Sequence, residues 1–423
     1  MVATKGRPAL RENLPHSLVH RSLSLRRRFL PPHLQQRPLL NSLLQERLCR
    51  QLAATLRPSA YSIGSYNKVF ACEWLNNDTV LLATKCNNLL RLNLLNSAVT
   101  RVPLLGMPGR SPGLPNLPVV INDGGLHALE TNGPATFLAT GALADGDLGV
   151  YELPDLRPYA LLHGAHADWV FDAAWLDAAT LVSVARDSSM AIWSLPEANF
   201  STGVDPDGFA VTSPRYVRKV RDFQDQSARL RSVDIGKCGN LAVLSLNSFL
   251  QFYSIERLDT PVATIHLGSS ESSFAKETVC VRASPEPHCF YSCCVDHVTL
   301  YDSRTGLASD SIESKDRLSG VRSLACNGPV VSYGTGIGNV YFYDVRSHRH
   351  LTRHLGLCKA ALPGDQQQQA RQHQLFRDHN YLHGSQPEYA IYSHKYDADC
   401  ARIFTAGGPL ATTHWGNVAV LHS

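Results

Sequence analysis

Six basic residues recur at three positions of a repeated segment. Lys68 and Arg229 fall where a third copy carries Trp169, Arg231 and Arg322 fall where it carries Phe171, and Lys85 and Arg186 each stand just before a tight turn. A ring of like charges costs stability unless something anionic neutralises it. Carboxylates and phosphates are the ligands that such a ring takes, through charge-assisted hydrogen bonds. In the competing reading each cation meets an acid within its own repeat. Few acids occupy equivalent positions, Glu73 being an exception, so anion binding is the stronger reading.

Other patterns with chemical potential lack the surroundings that the chemistry needs. Gly109-Arg-Ser-Pro-Gly113 satisfies G-x-S-x-G, but a nucleophile elbow needs a strand before the Ser and a helix after it, and a Pro/Gly-rich loop supplies neither. Gly334-Thr-Gly-Ile-Gly338 has the glycines of a phosphate cradle with no helix to follow, and it reads as a turn between strands. The 18 histidines show no H-E-x-x-H or other metal spacing, and the 11 cysteines include no Cys-x-x-Cys pair. The expectation is a binding protein with no catalytic residues, metal or cofactor.

The elements that position the cations are short and β-prone. The clearest copy runs from His166 through Trp175 and then from Leu181 to Trp193. Its His166, Ser183, Asp187 and Trp193 are the four residue types that a WD40 blade links by hydrogen bonds. Other copies begin near Lys68, Gly125, Arg229, Thr278, Gly320 and Ala390, which makes seven. Their spacing of about 42 to about 70 residues reaches the WD40 period only at its short end. The excess is assigned to inserts at 106–124, 196–226 and 357–386. The last copy stops after a third strand near Asn417–Leu421, and Ala60–Gly64 is the expected donor of the fourth strand that closes the ring and removes its edges. The fold class is therefore all-β, a seven-bladed propeller over residues 57–423. Residues 1–56 form a basic, partly helical extension, with an amphipathic helix near 39–56 that carries Leu40, Leu43, Leu44, Leu48, Leu52 and Leu56 on one face. In a propeller the first strand is innermost, and its start shares a face with the end of the second. The six cations are therefore expected around one mouth of the central channel.

Net charge is +4, but residues 1–56 hold ten Lys or Arg against two Glu, leaving thirty against thirty-four for the rest. A basic block such as Arg26, Arg27 and Arg28 suits a nuclear-import address, a nucleic-acid arm or a solvated tail. No secretory leader or membrane span is recognisable, and scattered thiols suit a reducing compartment. Cytoplasmic and nuclear residence is the expectation.

Tyr66-Asn-Lys-Val-Phe70, Ala83-Thr-Lys-Cys-Asn87, Asp168-Trp-Val-Phe171, Gly334-Thr-Gly336, Phe342-Tyr-Asp-Val-Arg346 and Ala406-Gly-Gly-Pro-Leu410 carry a resemblance through all seven copies. They resemble the DCAF family of WD40 substrate receptors of cullin-4 ubiquitin ligases, and within it the branch of the twelfth member. The resemblance covers nearly everything after about residue 60. It implies a receptor that bridges the ligase's propeller-built adaptor, the large subunit of the damaged-DNA-binding protein, to substrates whose C-termini end in acidic residues, notably paired glutamates. It assigns Lys68, Lys85, Arg186, Arg229, Arg231 and Arg322 to the acidic-terminus pocket, with Arg229 where the family commonly has Lys. It also assigns adaptor contact to two Asp-x-Arg motifs, Asp302 with Arg304 and Asp344 with Arg346, and to the helix near 39–56. A scaffold or nucleic-acid reader using the basic tail is the alternative; nucleic acid is the less favoured ligand, and a membrane is not expected.

Overall fold

The computed structural model describes residues 56–106, 124–196, 209–221, 228–246, 249–267, 278–316, 320–351, 355–356, 389–411 and 414–423. Residues 39–55 of the expected helix lie outside them, as do Gly109–Gly113 and the whole insert at 357–386. Seven sheets are present, each built on a meander of antiparallel strands. The third blade shows the plan. Val170–Trp175 lies innermost, followed outward by Thr180–Ala185, Ser189–Ser194 and Tyr216–Lys219.

Second strands are apolar on both faces because each is sandwiched between two neighbouring blades. In the first blade the strand Thr79–Thr84 is buried throughout; Leu81 and Ala83 pack toward the second blade, and Val80 and Leu82 toward the seventh. Period-2 geometry sends alternate side chains to opposite faces, so a central strand reads as a continuous apolar run. Seven apolar clusters result, one at each blade-to-blade interface around the ring.

Two expectations need correction. The closing strand is Pro58–Ala60, pairing with Val418–His422, and not Ala60–Gly64. Ile63, 2% exposed, is drawn into the interface between the seventh and first blades, and Gly64 turns the chain with φ +82, so the segment leaves the sheet after Tyr61. The stretch 196–226 is also more than an insert. It returns to supply the outer strand of the third blade at Tyr216–Lys219, and Ala210–Thr212 adds in parallel to the outer strand Arg157–Leu162 of the second blade. Gly334 and Thr335 end the strand Val330–Thr335, and 336–338 make the tight turn to Asn339–Asp344, so the segment is a turn between strands, as the sequence implied.

The third blade's polar chain runs in one direction. Trp193 Nε1 donates to Ser183 Oγ at 2.8 Å, and Ser183 Oγ lies 2.7 Å from His166 Nε2. Burial holds His166 neutral, pushing its pKa down to about 4. Because Ser183 accepts from Trp193, its hydroxyl donates to Nε2, which leaves the Nδ1 proton for Ser189 Oγ. The Ser189 hydroxyl in turn donates to the Asp187 carboxylate. Ser189 is the member that sequence comparison missed; it stands between His166 and Asp187.

Candidate functional site: the cationic channel mouth

In four blades the same hydrogen bond fixes the start of the first strand to the end of the second. Lys85 N donates to Lys68 O at 2.8 Å, Arg186 N to Trp169 O at 2.9 Å, Leu246 N to Arg229 O at 2.8 Å, and Gly336 N to Gly320 O at 3.0 Å. Two residues further on, the pairing register skips one residue in five blades, at Phe70, Phe171, Arg231, Arg322 and Tyr392. A bulge re-aims its extra side chain away from the ladder. All five line a central cavity of ≈ 80 Å³ together with His127 of the second blade. Arg231 and Arg322 thus occupy equivalent, channel-facing positions.

The six sequence-chosen cations are not equivalent in their surroundings. Lys68 is 2% exposed and donates to the carbonyl of Ala411; burial, with Lys85 adding repulsion, lowers its pKa to about 8. A Cβ at Gly408 would lie 2.8 Å from Lys68 Cγ and 3.0 Å from its Cα, so only glycine leaves room for this lysine. Gly320, at φ +75, does the same for Arg322, whose Nε would meet a Cβ there at 3.1 Å. Arg231 stacks over Phe171 at 4.6 Å. Arg186 stacks over Trp169 at 4.6 Å and lies 3.7 Å from the Asp168 carboxylate, so this cation does meet an acid of its own blade. Of the six, only Arg231 and Arg322 line the cavity; Lys68, Lys85 and Arg186 lie outside its lining, as does the exposed Arg229.

Three features of the site go beyond the six cations that the sequence singled out. His127 stacks on Phe70 with ring centroids 4.3 Å apart and meets Phe171 edge-on at 4.8 Å. Burial first, then the charge of Arg231, holds its pKa well below the usual histidine value. Its Nε2 lies 3.0 Å from Gly124 O, so in the neutral ring Nε2 carries the proton and Nδ1 faces Arg231 at 3.5 Å. The histidine is an uncharged aromatic wall within a cationic rim. Second, Arg282 lines the cavity. Val281-Arg282 copies the pattern of Val321-Arg322, which was a legible signal, but Arg282 stands further along its strand, opposite Tyr291, and pairs with Asp172 at 3.4 Å. Third, carboxylates lie on the inner strands beyond the bulges. Lys395 Nζ bridges Glu73 and Glu130 at 2.9 Å each, and Asp172 also accepts from Ser232 Oγ at 2.7 Å. Burial raises the pKa of Asp234, with Arg282 opposing the rise. The charge sign therefore changes along the channel: cations and aromatic rings occupy the mouth, and four carboxylates set against Lys395 and Arg282 lie beneath.

The proposed adaptor residues lie at the ends of third strands. Second strands end at the mouth and third strands run antiparallel to them, so Asp302 and Asp344 belong to the other face. Asp302 pairs with the exposed Arg304 through two contacts, Oδ1 to Nε at 3.1 Å and Oδ2 to Nη2 at 2.6 Å, and Asp344 Oδ1 accepts from Arg346 N at 3.0 Å. Among the described residues no group of three or more His, Cys, Asp or Glu could hold a metal ion, and no helix is long and apolar enough to cross a membrane.

A ring of seven blades closed by the strand Pro58–Ala60, with a cationic, aromatic-walled mouth, defines a WD40-type propeller. The chain belongs to the family described as DDB1- and CUL4-associated factor 12 beta propeller, whose model matches residues 52–423. The crystal structure of the WD40 beta propeller domain of Doa1 is similar, with a TM-score of 0.55 and 12% identity, over 86% of this chain and 95% of that one. At that identity the likeness is one of fold.

Proposed function

We propose that the chain is a non-enzymatic substrate receptor of a cullin-4 ubiquitin ligase, and that its channel mouth takes proteins whose C-termini end in glutamates. Family membership supports the receptor role. The change of charge sign along the channel carries the ligand assignment. A terminus ending in two glutamates offers three carboxylates to Lys68, Lys85, Arg231 and Arg322, and the carboxylate layer around Glu73, Glu130 and Asp172 repels them from going deeper. An extended chain end fits such a mouth, whereas the backbone of a nucleic acid does not terminate in one.

Lys68 supplies the test. Its pKa near 8 makes it an ammonium at pH 7 and largely neutral at pH 9. Affinity for a peptide ending Glu-Glu is expected to fall about tenfold between these pH values, since one unit above its pKa about a tenth of the group keeps its proton. The Lys68→Arg variant, charged at both pH values, should lose that dependence. A wild-type affinity flat from pH 7 to 9, or no binding at all, defeats the assignment. Steep salt dependence with any polyphosphate and indifference to a free C-terminus would favour the nucleic-acid alternative.

The opposite face is assigned to the adaptor. Full-length chain mixed with the cullin-4 adaptor at micromolar concentration is expected to co-elute in size-exclusion chromatography. Arg304→Glu combined with Arg346→Glu should reduce the complex while leaving peptide binding intact. Separate elution of the wild-type proteins contradicts the receptor reading.

A further inference from the structure

We propose that Cys280 and Cys293, two thiols facing each other in the channel wall of the fifth blade, form a disulfide when a small peroxide enters the channel. Cys280 precedes the inner strand Val281–Ala283, and Cys293 ends the second strand Cys289–Cys293. The register Val281↔Ser292 carries on to them, with Cys293 N donating to Cys280 O at 3.1 Å. Residues opposite each other at a hydrogen-bonded site of an antiparallel ladder have Cα atoms about 5.5 Å apart, inside the range of about 4.4–6.8 Å that a disulfide spans.

The two sulfurs have different jobs. Cys280 lines the cavity, whereas Cys293 is fully buried. Cys280 Sγ lies 3.9 Å from Val281 O, and the Arg282 guanidinium reaches the same oxygen at 2.9 Å, which places a fixed positive charge beside the sulfur. A hydrogen bond from the Cys293 thiol, with help from Arg282, outweighs burial and lowers the Cys280 pKa to about 7. Burial, followed by that same hydrogen bond, holds Cys293 well above the usual thiol value. Cys280 is thus the nucleophile and Cys293 the thiol that resolves it. Thiolate character in a positively charged, reachable setting is what makes a cysteine oxidisable.

The chemistry balances with a hydroperoxide as oxidant. The Cys280 thiolate attacks the peroxide O–O bond; a sulfur–oxygen bond forms, and the distal oxygen leaves with its electron pair and takes up a proton as water or alcohol. Cys293 sulfur then attacks the sulfenic sulfur. A sulfur–sulfur bond forms, the sulfur–oxygen bond breaks, and hydroxide leaves as water with the Cys293 proton. Two thiols are oxidised and one peroxide is reduced. The product takes a negative charge away from Arg282, so the channel becomes more positive.

The test uses the full chain and hydrogen peroxide at neutral pH, followed by thiol blocking, denaturation and peptide mass spectrometry. The expected result is a Cys280–Cys293 linked peptide pair lighter by two hydrogens, while Cys72 and Cys326, whose pKa values burial pushes up to about 12, stay reduced. Cys293→Ser should stop the reaction at the sulfenic acid, which dimedone labels at Cys280. Cys280→Ser should leave Cys293 reduced. The exposed Cys238 is the internal measure of peroxide dose. Recovery of Cys280 as a free thiol in the wild-type chain under conditions that oxidise Cys238 overturns the proposal, as does linkage of Cys280 to Cys294 or Cys326 instead.

Discussion

Arg322→Glu is expected to weaken binding of a peptide ending Glu-Glu by at least about tenfold, while complex formation with the adaptor persists. Arg322 is held by a bulge at the channel lining, with Gly320 leaving room for its guanidinium. Reversing its charge turns an attraction into a repulsion within a partly desolvated site, and a tenfold loss requires only about 1.4 kcal/mol. One charge-assisted hydrogen bond is worth about 1.5–3 kcal/mol, so the loss should exceed that floor. An amidated peptide should show a comparable defect on the wild-type chain, because amidation removes the terminal carboxylate and keeps both side chains. Arg322→Gln, which retains most of the bulk, should give an intermediate loss. Isothermal titration with free-acid and amidated peptides decides the matter. If wild type and Arg322→Glu, both folded, bind all of these peptides alike, the mouth is not a receptor for C-termini.

The largest effect on folding is expected at Trp193. Its side chain is fully buried between the second and third blades, packed with Val170, Leu181 and Ala191, and its indole N–H begins the polar chain through Ser183 and His166. Trp193→Ala should cost about 3–5 kcal/mol, the range for emptying a large buried aromatic site. Loss of the indole also takes a donor from the buried Ser183, whose hydroxyl then satisfies His166 alone. Trp193→Phe keeps most of the apolar volume and should fall between the two. Chemical denaturation that shows the Ala variant within error of wild type would falsify the role given to this residue.

Much of the fold was legible because a propeller repeats one local solution. Each blade must bury its central strands against two neighbours, so the Val80–Ala83 and Leu181–Ala185 runs declare themselves by apolarity alone. The His166–Trp193 spacing names a blade outright. Strand donation across the ring was harder to place. Pro58–Ala60 is exposed and has no apolar pattern, and its position follows from backbone pairing with Val418–His422, a contact between distant parts of the chain. The outer strand Tyr216–Lys219 was obscured for the same reason: edge strands alternate half-buried and exposed residues and resemble loops.

For the candidate site, residue types and repeat positions alone determined which cations share a strand position: Lys68 with Arg229, Lys85 with Arg186, and Arg231 with Arg322. Tertiary structure decided the rest. A bulge, invisible in composition, aims Arg231 and Arg322 into the channel, whereas the similarly spelled Arg282 stands further along its strand, opposite Tyr291, and pairs with Asp172. Closure of the ring sets His127 against Phe70, and Lys395 against both Glu73 and Glu130, pairs separated by 57, 322 and 265 residues. Sequence records the charge that each strand carries. The sign of the field at each depth of the channel depends on which strands meet around its axis, and seven blades must pack before that axis exists.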